Sequence, residues 1–432
     1  MLSRSSVLHY WDAQFGPNPV VGGDPVFARD SAGALIDRPR ILRSLIRGCP
    51  RSEWVTLGAQ HGLLKPFRIP SLLLEPARVN RLTFSRDLAQ WTNTNVTLTT
   101  GKNDARGTTG ATLADATSSG GLRARTVTVV GDGTKAVSII LRRGGAALTE
   151  IEFFDSSAAT VRHRVRATWS ADGAPTLTSQ AGAGTIFAAV ELVDGFWLIS
   201  FAVNGVVAAN TNVMRLYPAG TAATGSVTFD GAQVEDAVYP SSLLDTTAAT
   251  AARAVDQFYW RNPFAAQAVA IFTEILIGNL LETSSRIWHI GHANGSAPYI
   301  HLGFDSGAVV TSAHNGTQLQ AASRAVFAVQ GDRLRIVSVI HTDGAPRTIV
   351  QKNQDAAAQT IGSAPSGGLI TGYSDQRWWC NSVSTNNVGR SLFRRAHAVK
   401  LADLTNAPGA SNQDLVVTEM DNFLLNTVGE VI

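Results

Sequence analysis

Apolar and polar residues alternate with a period of two over much of this chain, and the alternation breaks at Gly, Asp, Asn and Ser. That period places successive side chains on opposite faces of a strand, so it predicts half-buried β-strands. Between positions 81 and 250 it predicts nine of them: Asn95–Thr99, Arg125–Val130, Ala136–Leu141, Glu150–Phe154, Val161–Trp169, Phe187–Leu192, Trp197–Val203, Asn212–Tyr217 and Ser226–Phe229. Short strands at close spacing, with no helical period between them, predict a sandwich or barrel. From Asp256 onward the pattern repeats in Ala268–Leu276, Arg286–Ile290, Tyr299–Phe304, Gly307–Ser312, Arg333–His341, Thr348–Lys352, Gly368–Thr371 and His397–Leu401. A short closing helix is expected within Leu415–Leu425. The fold class is therefore all-β: two tandem antiparallel units, each a sandwich or a barrel, behind an irregular N-terminal arm.

The first 70 residues hold seven of the sixteen prolines. Proline removes a ladder donor, so this stretch reads as short strands and extended loops wrapped on something larger. Arg40–Arg47 is its one helical candidate. Its aromatic residues, Tyr10, Trp11, Phe15, Phe27, Trp54 and Phe67, argue against simple disorder. Such an arm either docks on a partner or covers the protein's own next domain.

Composition narrows the class. The 432 residues are too many for one core. Charged residues are 16% of the chain, below the usual quarter, while hydrophobic residues reach 44%. The net charge of +3 arises in Met1–Asn80, where ten Lys/Arg face six Asp/Glu. No dense basic patch with interleaved aromatics is present, so nucleic-acid binding is not expected. Cys49 and Cys380 lie far apart, which excludes a disulfide framework and a cysteine metal site. The start, MLSRSSVLHYWDAQFG, lacks a signal-peptide core, and the apolar runs are strand-sized, so neither a leader nor a membrane span is expected.

Two stretches carry more information than the rest. Ser71–Trp91 reads SLLLEPARVNRLTFSRDLAQW, and Phe229–Phe258 reads FDGAQVEDAVYPSSLLDTTAATAARAVDQF. They resemble paired segments in virion structural proteins of tailed bacteriophages, of the tail, fibre or head-fibre type. There the first segment opens a carbohydrate-binding-like jelly roll, the second closes it, and a concanavalin-like or laminin-G-like domain follows. Asp194-Gly195-Phe196-Trp197 matches the family's turn into a central strand, although its following tyrosine and arginine are absent. Lys400-Leu401-Ala402-Asp403-Leu404 matches the end of the second domain loosely. The resemblance implies an anchoring arm over 1–70 and then two tandem antiparallel β-sandwiches, a jelly roll over 71–255 and a concanavalin-like sandwich over 256–432. It also implies a virion location after assembly in the host cytoplasm and other virion proteins as partners through the arm. A homo-oligomer, with a trimer favoured, and contact with host cell-surface polysaccharide follow from it as well.

No catalytic role is expected. Glu150-Ile151-Glu152-Phe153-Phe154-Asp155 resembles the paired-acid strand of laminarinase-like glycoside hydrolases, but its central Asp is replaced by Glu. Its last acid falls on the opposite face unless a bulge intervenes, so a solvated outer strand face is the expectation for Glu150 and Glu152. No serine or cysteine nucleophile motif occurs.

Sugars stack their C–H faces on exposed rings, and amide and charged side chains bond their hydroxyls. Trp378 and Trp379, with Tyr373, Asp375, Arg377 and Asn381, form the first glycan-binding candidate. The alternative places one tryptophan in the core and the other at a subunit interface. Trp288, His292, Asn294 and Tyr299 form a second candidate patch. Trp91, Trp169 and Trp197 read as core. No cofactor is expected and no metal ligands are assigned. A structural calcium, common in the resembled folds, would draw on Asp230, Glu235 and Asp236.

Overall fold

The computed structural model describes residues 77–253 continuously, together with 9–14, 20–21, 25–28, 33–36, 42–45, 52–57, 67–74, 257–260, 269–277, 284–291, 299–305, 308–314, 319–326, 332–340, 346–353, 358–363 and 391–400. The chain divides into two compact units. One comprises Ser31–Arg47 and Ala77–Ala254; the other comprises Met1–Asp30, Gly48–Pro76 and Val255–Ile432.

In the 77–254 unit, two antiparallel sheets form a jelly-roll sandwich. One runs in the order Val96–Lys102, Ala111–Ala116, Gly225–Glu235, Gly133–Arg143, Phe196–Val206, Gly184–Glu191, with Arg78–Asn80 and Ala251–Arg253 joined at its side. The other runs Pro175–Gly182, Thr160–Trp169, Leu148–Asp155, Asn212–Tyr217, Leu122–Val127, Thr92–Thr94. Every pairing is antiparallel, and strands consecutive in sequence repeatedly switch sheets. Alternation sends Val137, Ile139, Leu141, Ile199, Phe201 and Phe229 inward from the first sheet, where they meet Ile151, Phe153, Val165, Met214 and Leu216 of the second. Trp91 and Trp169 are buried in this core, and Trp197 packs partly buried against it.

All nine expected strands of this unit are present, most extended by a few residues. Ala111–Ala116 and Pro175–Gly182 were not expected. The first is built of small residues, and the second is a polar edge strand whose apolar contribution to the core is Leu177. Neither offers a clear period of two.

The turn into the central strand Phe196–Val206 is built as its sequence implies. Asp194 and Gly195 adopt positive φ of 55° and 72°. Phe196 is buried, with the Arg142 guanidinium 4.6 Å from its ring centre. Gly184 lies where no side chain fits, since a Cβ there would meet the Ala202 carbonyl at 2.1 Å and His163 Nδ1 at 2.2 Å.

In the second unit, one sheet runs Val20–Val21, His9–Gln14, Ser391–Lys400, Val269–Ile277, Arg333–Ile340, Pro346–Lys352, Ala358–Ile361. A four-stranded sheet runs Ser284–Gly291, Tyr299–Asp305, Ala308–His314, Leu319–Ala325. Buried hydroxyls tie the two sheets: Thr311 donates to Ser338 at 3.0 Å, and Thr348 bonds Thr311 at 2.8 Å and the Ala322 carbonyl at 2.7 Å. Segments of the first 76 residues pair with strands of this unit. His9–Gln14 pairs with Ser391–Lys400, Phe67–Leu74 pairs with the start of that same strand, and Pro25–Ala28 pairs with Gln257–Trp260.

Arg40–Arg47 is not helical. Leu42–Leu45 forms a hairpin with Gly33–Ile36. Eight residues make barely two turns, too few to offset helix nucleation when a partner strand is at hand. The expected strand Gly368–Thr371 and closing helix Leu415–Leu425 lie outside the described residues. No helix among the described residues is long and apolar enough to cross a membrane.

Candidate functional site

The two motif stretches meet in space. Arg78–Asn80 pairs with Ala251–Arg253, and Asn80 lies opposite Glu235. The buried Asn80 amide oxygen accepts from the N–H of Leu82 at 3.0 Å and of Val234 at 3.1 Å, while Nδ2 donates to the Leu244 carbonyl at 2.6 Å. Ser85 and Thr246 exchange bonds in both directions at 3.0 and 2.8 Å. Gln233 Oε1 accepts from Leu244 N–H at 2.6 Å, and Arg253 donates to Ser242 Oγ at 2.7 Å. A carboxamide satisfies a donor and two acceptor demands at once, which accounts for Asn80 and Gln233 at these points. These residues form a clasp that closes the jelly roll where the chain enters and leaves it.

The acids Asp230, Glu235 and Asp236 do not converge. Asp230 accepts from Arg86 Nη2 at 2.6 Å and from Ala105 N–H at 3.1 Å. Asp236 is held by Arg81 at 2.6 Å and Lys135 at 2.9 Å. Glu235 accepts from Ser241 N–H at 2.8 Å and from its hydroxyl. Burial pushes the Glu235 carboxyl up, against the opposing pull of Arg253 and Ser241. No group of three or more metal-ligating side chains occurs among the described residues.

A guanidinium, in the place of a bridging cation, joins two acids. Arg86 Nη2 bonds both Asp230 and, at 3.0 Å, Asp104, while Nε reaches the Asp230 carbonyl at 3.1 Å. Burial works to raise the Asp104 carboxyl, but the Thr108 hydroxyl and the N–H groups of Thr108, Arg106 and Gly110 outweigh it and hold it at about 2.

The outward face of the six-stranded sheet carries the densest chemistry. Its cross-strand register aligns Ala124, Arg215, Glu152, Arg164 and Ala181 in one row and Tyr217, Glu150, Arg166 and Thr178 in the next. Glu152 accepts from Arg164 Nε at 2.6 Å, from Arg164 Nη2, and from Arg215 Nη1 at 2.9 Å. Tyr217 OH approaches the same carboxylate at 3.4 Å. Burial and the Glu152 charge push the Tyr217 phenol up. Arg166 holds Glu150 Oε1 at 3.0 and 2.7 Å; Glu150 Oε2 is buried without a hydrogen-bond partner. Arg215 lies 3.5 Å from the Phe154 ring centre, and Arg164 lies 5.8 Å from that of Tyr217.

Glu150 and Glu152 are thus fully buried, not a solvated outer face. Long arginine side chains lie over the short carboxylates and exclude water from them. Both acids accept charge-assisted hydrogen bonds from guanidinium. The partner strand does bulge, at Arg162, and that arginine reaches Asp155 at 2.5 Å. Burial works to raise Asp155, while Asn210 and Arg162 bring it down to about 2.

Of the expected glycan-binding residues, Trp378, Trp379, Tyr373, Asp375, Arg377 and Asn381 lie outside the described residues, as do His292 and Asn294. Trp288 and Tyr299 stand on paired strands, opposite Leu302 and Gly291 respectively. The arginine rows were not among the expected site residues. The signal was the i, i+2 spacing of Arg162, Arg164 and Arg166 on the next strand.

No protein-family model matches the chain, and no curated protein matches it. Among solved structures, domains LG4-5 of the mouse laminin alpha1 chain align over 75% of this chain and 88% of that one, at 11% identity and a TM-score of 0.23. The LG1-3 region of the laminin alpha2 chain aligns over 63% of each chain, at 9% identity and a TM-score of 0.25. Superpositions this loose carry no argument about the chain, and its β-sandwich architecture rests on its own sheets.

Proposed function

We propose that this protein is a structural component of a phage virion, exposed on a tail or head fibre, where it contacts host-surface glycan without catalysing a reaction. The observation that carries the reading is the clasp. The two stretches on which the virion resemblance rests are the ones that bond each other through Asn80, Ser85, Gln233, Thr246 and Arg253. Residues with a shared closing function explain why both stretches occur together, one module-length apart. The acid strand Leu148–Asp155 supports a non-catalytic role, because Glu150 and Glu152 are buried beneath arginines, and a general acid must come within hydrogen-bond reach of its substrate. In this reading the chain assembles as a homo-oligomer, a trimer, on other virion proteins. The contact with other virion proteins falls to the arm over residues 1–70. The glycan contact falls to Trp378, Trp379 and their polar neighbours.

Cryo-electron microscopy of the particle, paired with a glycan array of the full chain and its Trp378→Ala variant, tests this. The expected result is an N-terminal region seated on a virion protein, a solvent-facing Trp378 loop and array binding lost in the variant. A Trp378 loop buried against another subunit, with no array binding, makes the protein purely architectural. Turnover of a polysaccharide that is lost on Glu150→Gln refutes the non-catalytic assignment.

A further inference from the structure

We infer that the arginine rows on the outward face of the six-stranded jelly-roll sheet form a second binding surface, for carboxylate-bearing oligosaccharide. The inference rests on the glycan-contact reading above but assigns a different face and a different ligand chemistry.

Burial separates the two signs of charge on this face. The carboxylates of Glu150 and Glu152 are at most 1% exposed, whereas the side chains of Arg164, Arg166 and Arg215 are 23–36% exposed. Three guanidiniums, those of Arg164, Arg166 and Arg215, stand over two acids, so the charged groups that a molecule arriving from solvent meets are cationic. Each carboxylate uses one edge of its guanidinium, and the fork retains further N–H donors. Those donors match a carboxylate in a planar, two-bond geometry that lysine cannot offer.

The surface is also rigid and unobstructed. Arg215 is pinned between Glu152 and the Phe154 ring, and Arg164 between Glu152 and the Tyr217 ring. Side chains already ordered lose little freedom on binding. The Arg215–Glu152–Arg164 row continues through Ala124 to Thr92 on one side and ends at Ala181 on the other, so the guanidiniums are the tallest groups along it. Arg164 and Arg166 are two residues apart on one strand, about 7 Å, and Arg164 and Arg215 are two strands apart, about 10 Å. An extended chain of charged sugars can engage several at once.

Single-stranded nucleic acid fits less well. Its bases need open aromatic faces, and the rings of Phe154 and Tyr217 are covered by guanidiniums.

Isothermal titration of the full chain with oligogalacturonate, its methyl ester and single-stranded DNA tests the inference. The expected result is binding of the acid form that weakens with added salt and falls at least about tenfold for the methyl ester. The paired variant Arg166→Gln/Glu150→Gln removes a guanidinium without stranding a buried charge, and it should weaken binding about tenfold while circular dichroism stays unchanged. Arg164→Lys should fail to retain full affinity. Equal affinity for acid and ester, no binding of the acid, or tighter binding of DNA each overturns the inference. The ester comparison uses the unaltered protein and therefore holds even if a variant fails to fold. Loss of neutral-glycan binding in Trp378→Ala, with no oligogalacturonate binding, leaves the proposed function standing and removes this surface alone.

Discussion

Replacing Arg86 by methionine tests the idea that a guanidinium does a bound cation's work in this jelly roll. Arg86 Nη2 bridges Asp104 and Asp230, both fully buried, and its removal leaves two carboxylates facing each other. Asp104 keeps its bonds from Thr108, Arg106 and Gly110. Asp230 keeps one, from Ala105 N–H, so its charge is the one left poorly compensated. Breaking a buried pair from one side costs about 3–5 kcal/mol. Arg86 is itself a quarter exposed, so about 3 kcal/mol is the working figure. That corresponds to a loss of roughly a hundredfold in hydrogen-exchange protection. The assay is hydrogen exchange by mass spectrometry on the full chain, read in peptides covering 103–110 and 225–235. Asp230→Asn added to Arg86→Met should restore most of the loss, because it removes the stranded charge. Calcium should protect the Arg86→Met variant and not the unaltered protein, by about 1.4 kcal/mol at ten times a millimolar-range Kd. Protection in Arg86→Met within threefold of the original would refute the bridging argument. A calcium effect as large in the unaltered protein would refute the claim that the arginine fills that place.

Asn80→Leu strands the N–H groups of Leu82 and Val234 and the Leu244 carbonyl, and about 3 kcal/mol of stability should be lost, measured as a fall in denaturation midpoint. Gly184→Ala forces a methyl group onto the Ala202 carbonyl and the His163 ring, so a thermal melt should show a loss of at least about 2 kcal/mol, and normal stability would contradict the close approach. Asp104 and Asp155 fall to about 2 on folding from an ordinary 3.8. Their stabilisation is therefore complete above pH 4 and should disappear as pH falls toward 2, visible as an acid transition in the melting temperature. Glu235 has the opposite sign: burial raises its carboxyl from 4.5, so its contribution is present below that value and lost as pH rises through the raised one. Glu235→Gln should flatten that slope, and an unchanged pH profile would show that burial does not dominate there.

The period-two alternation determined the fold class and most of the jelly-roll strands, because a strand that buries one face must repeat that period locally. Inward residues such as Val137, Ile139 and Leu141 announced themselves, as did the turn at Asp194-Gly195. The paired motifs at Ser71–Trp91 and Phe229–Phe258 were also legible as opening and closing segments. Their bonding was not, since Asn80 and Leu244 are 164 positions apart and only the closed sandwich brings them together. The small-residue strand Ala111–Ala116 and the polar edge Pro175–Gly182 escaped for want of an apolar period, and Leu42–Leu45 became a strand because a hairpin partner outweighed a weak helical signal.

The fate of the charged residues was decided by tertiary structure alone. Glu150 and Glu152 sit at outward positions, which locally predicts solvation, and only the neighbouring strands reveal that Arg164, Arg166 and Arg215 cover them. Likewise Asp230 reads as a metal ligand until Arg86, far away in sequence, is found in the cation's place. Local sequence sets which face a side chain occupies, whereas burial and charge compensation depend on strands brought alongside by the fold.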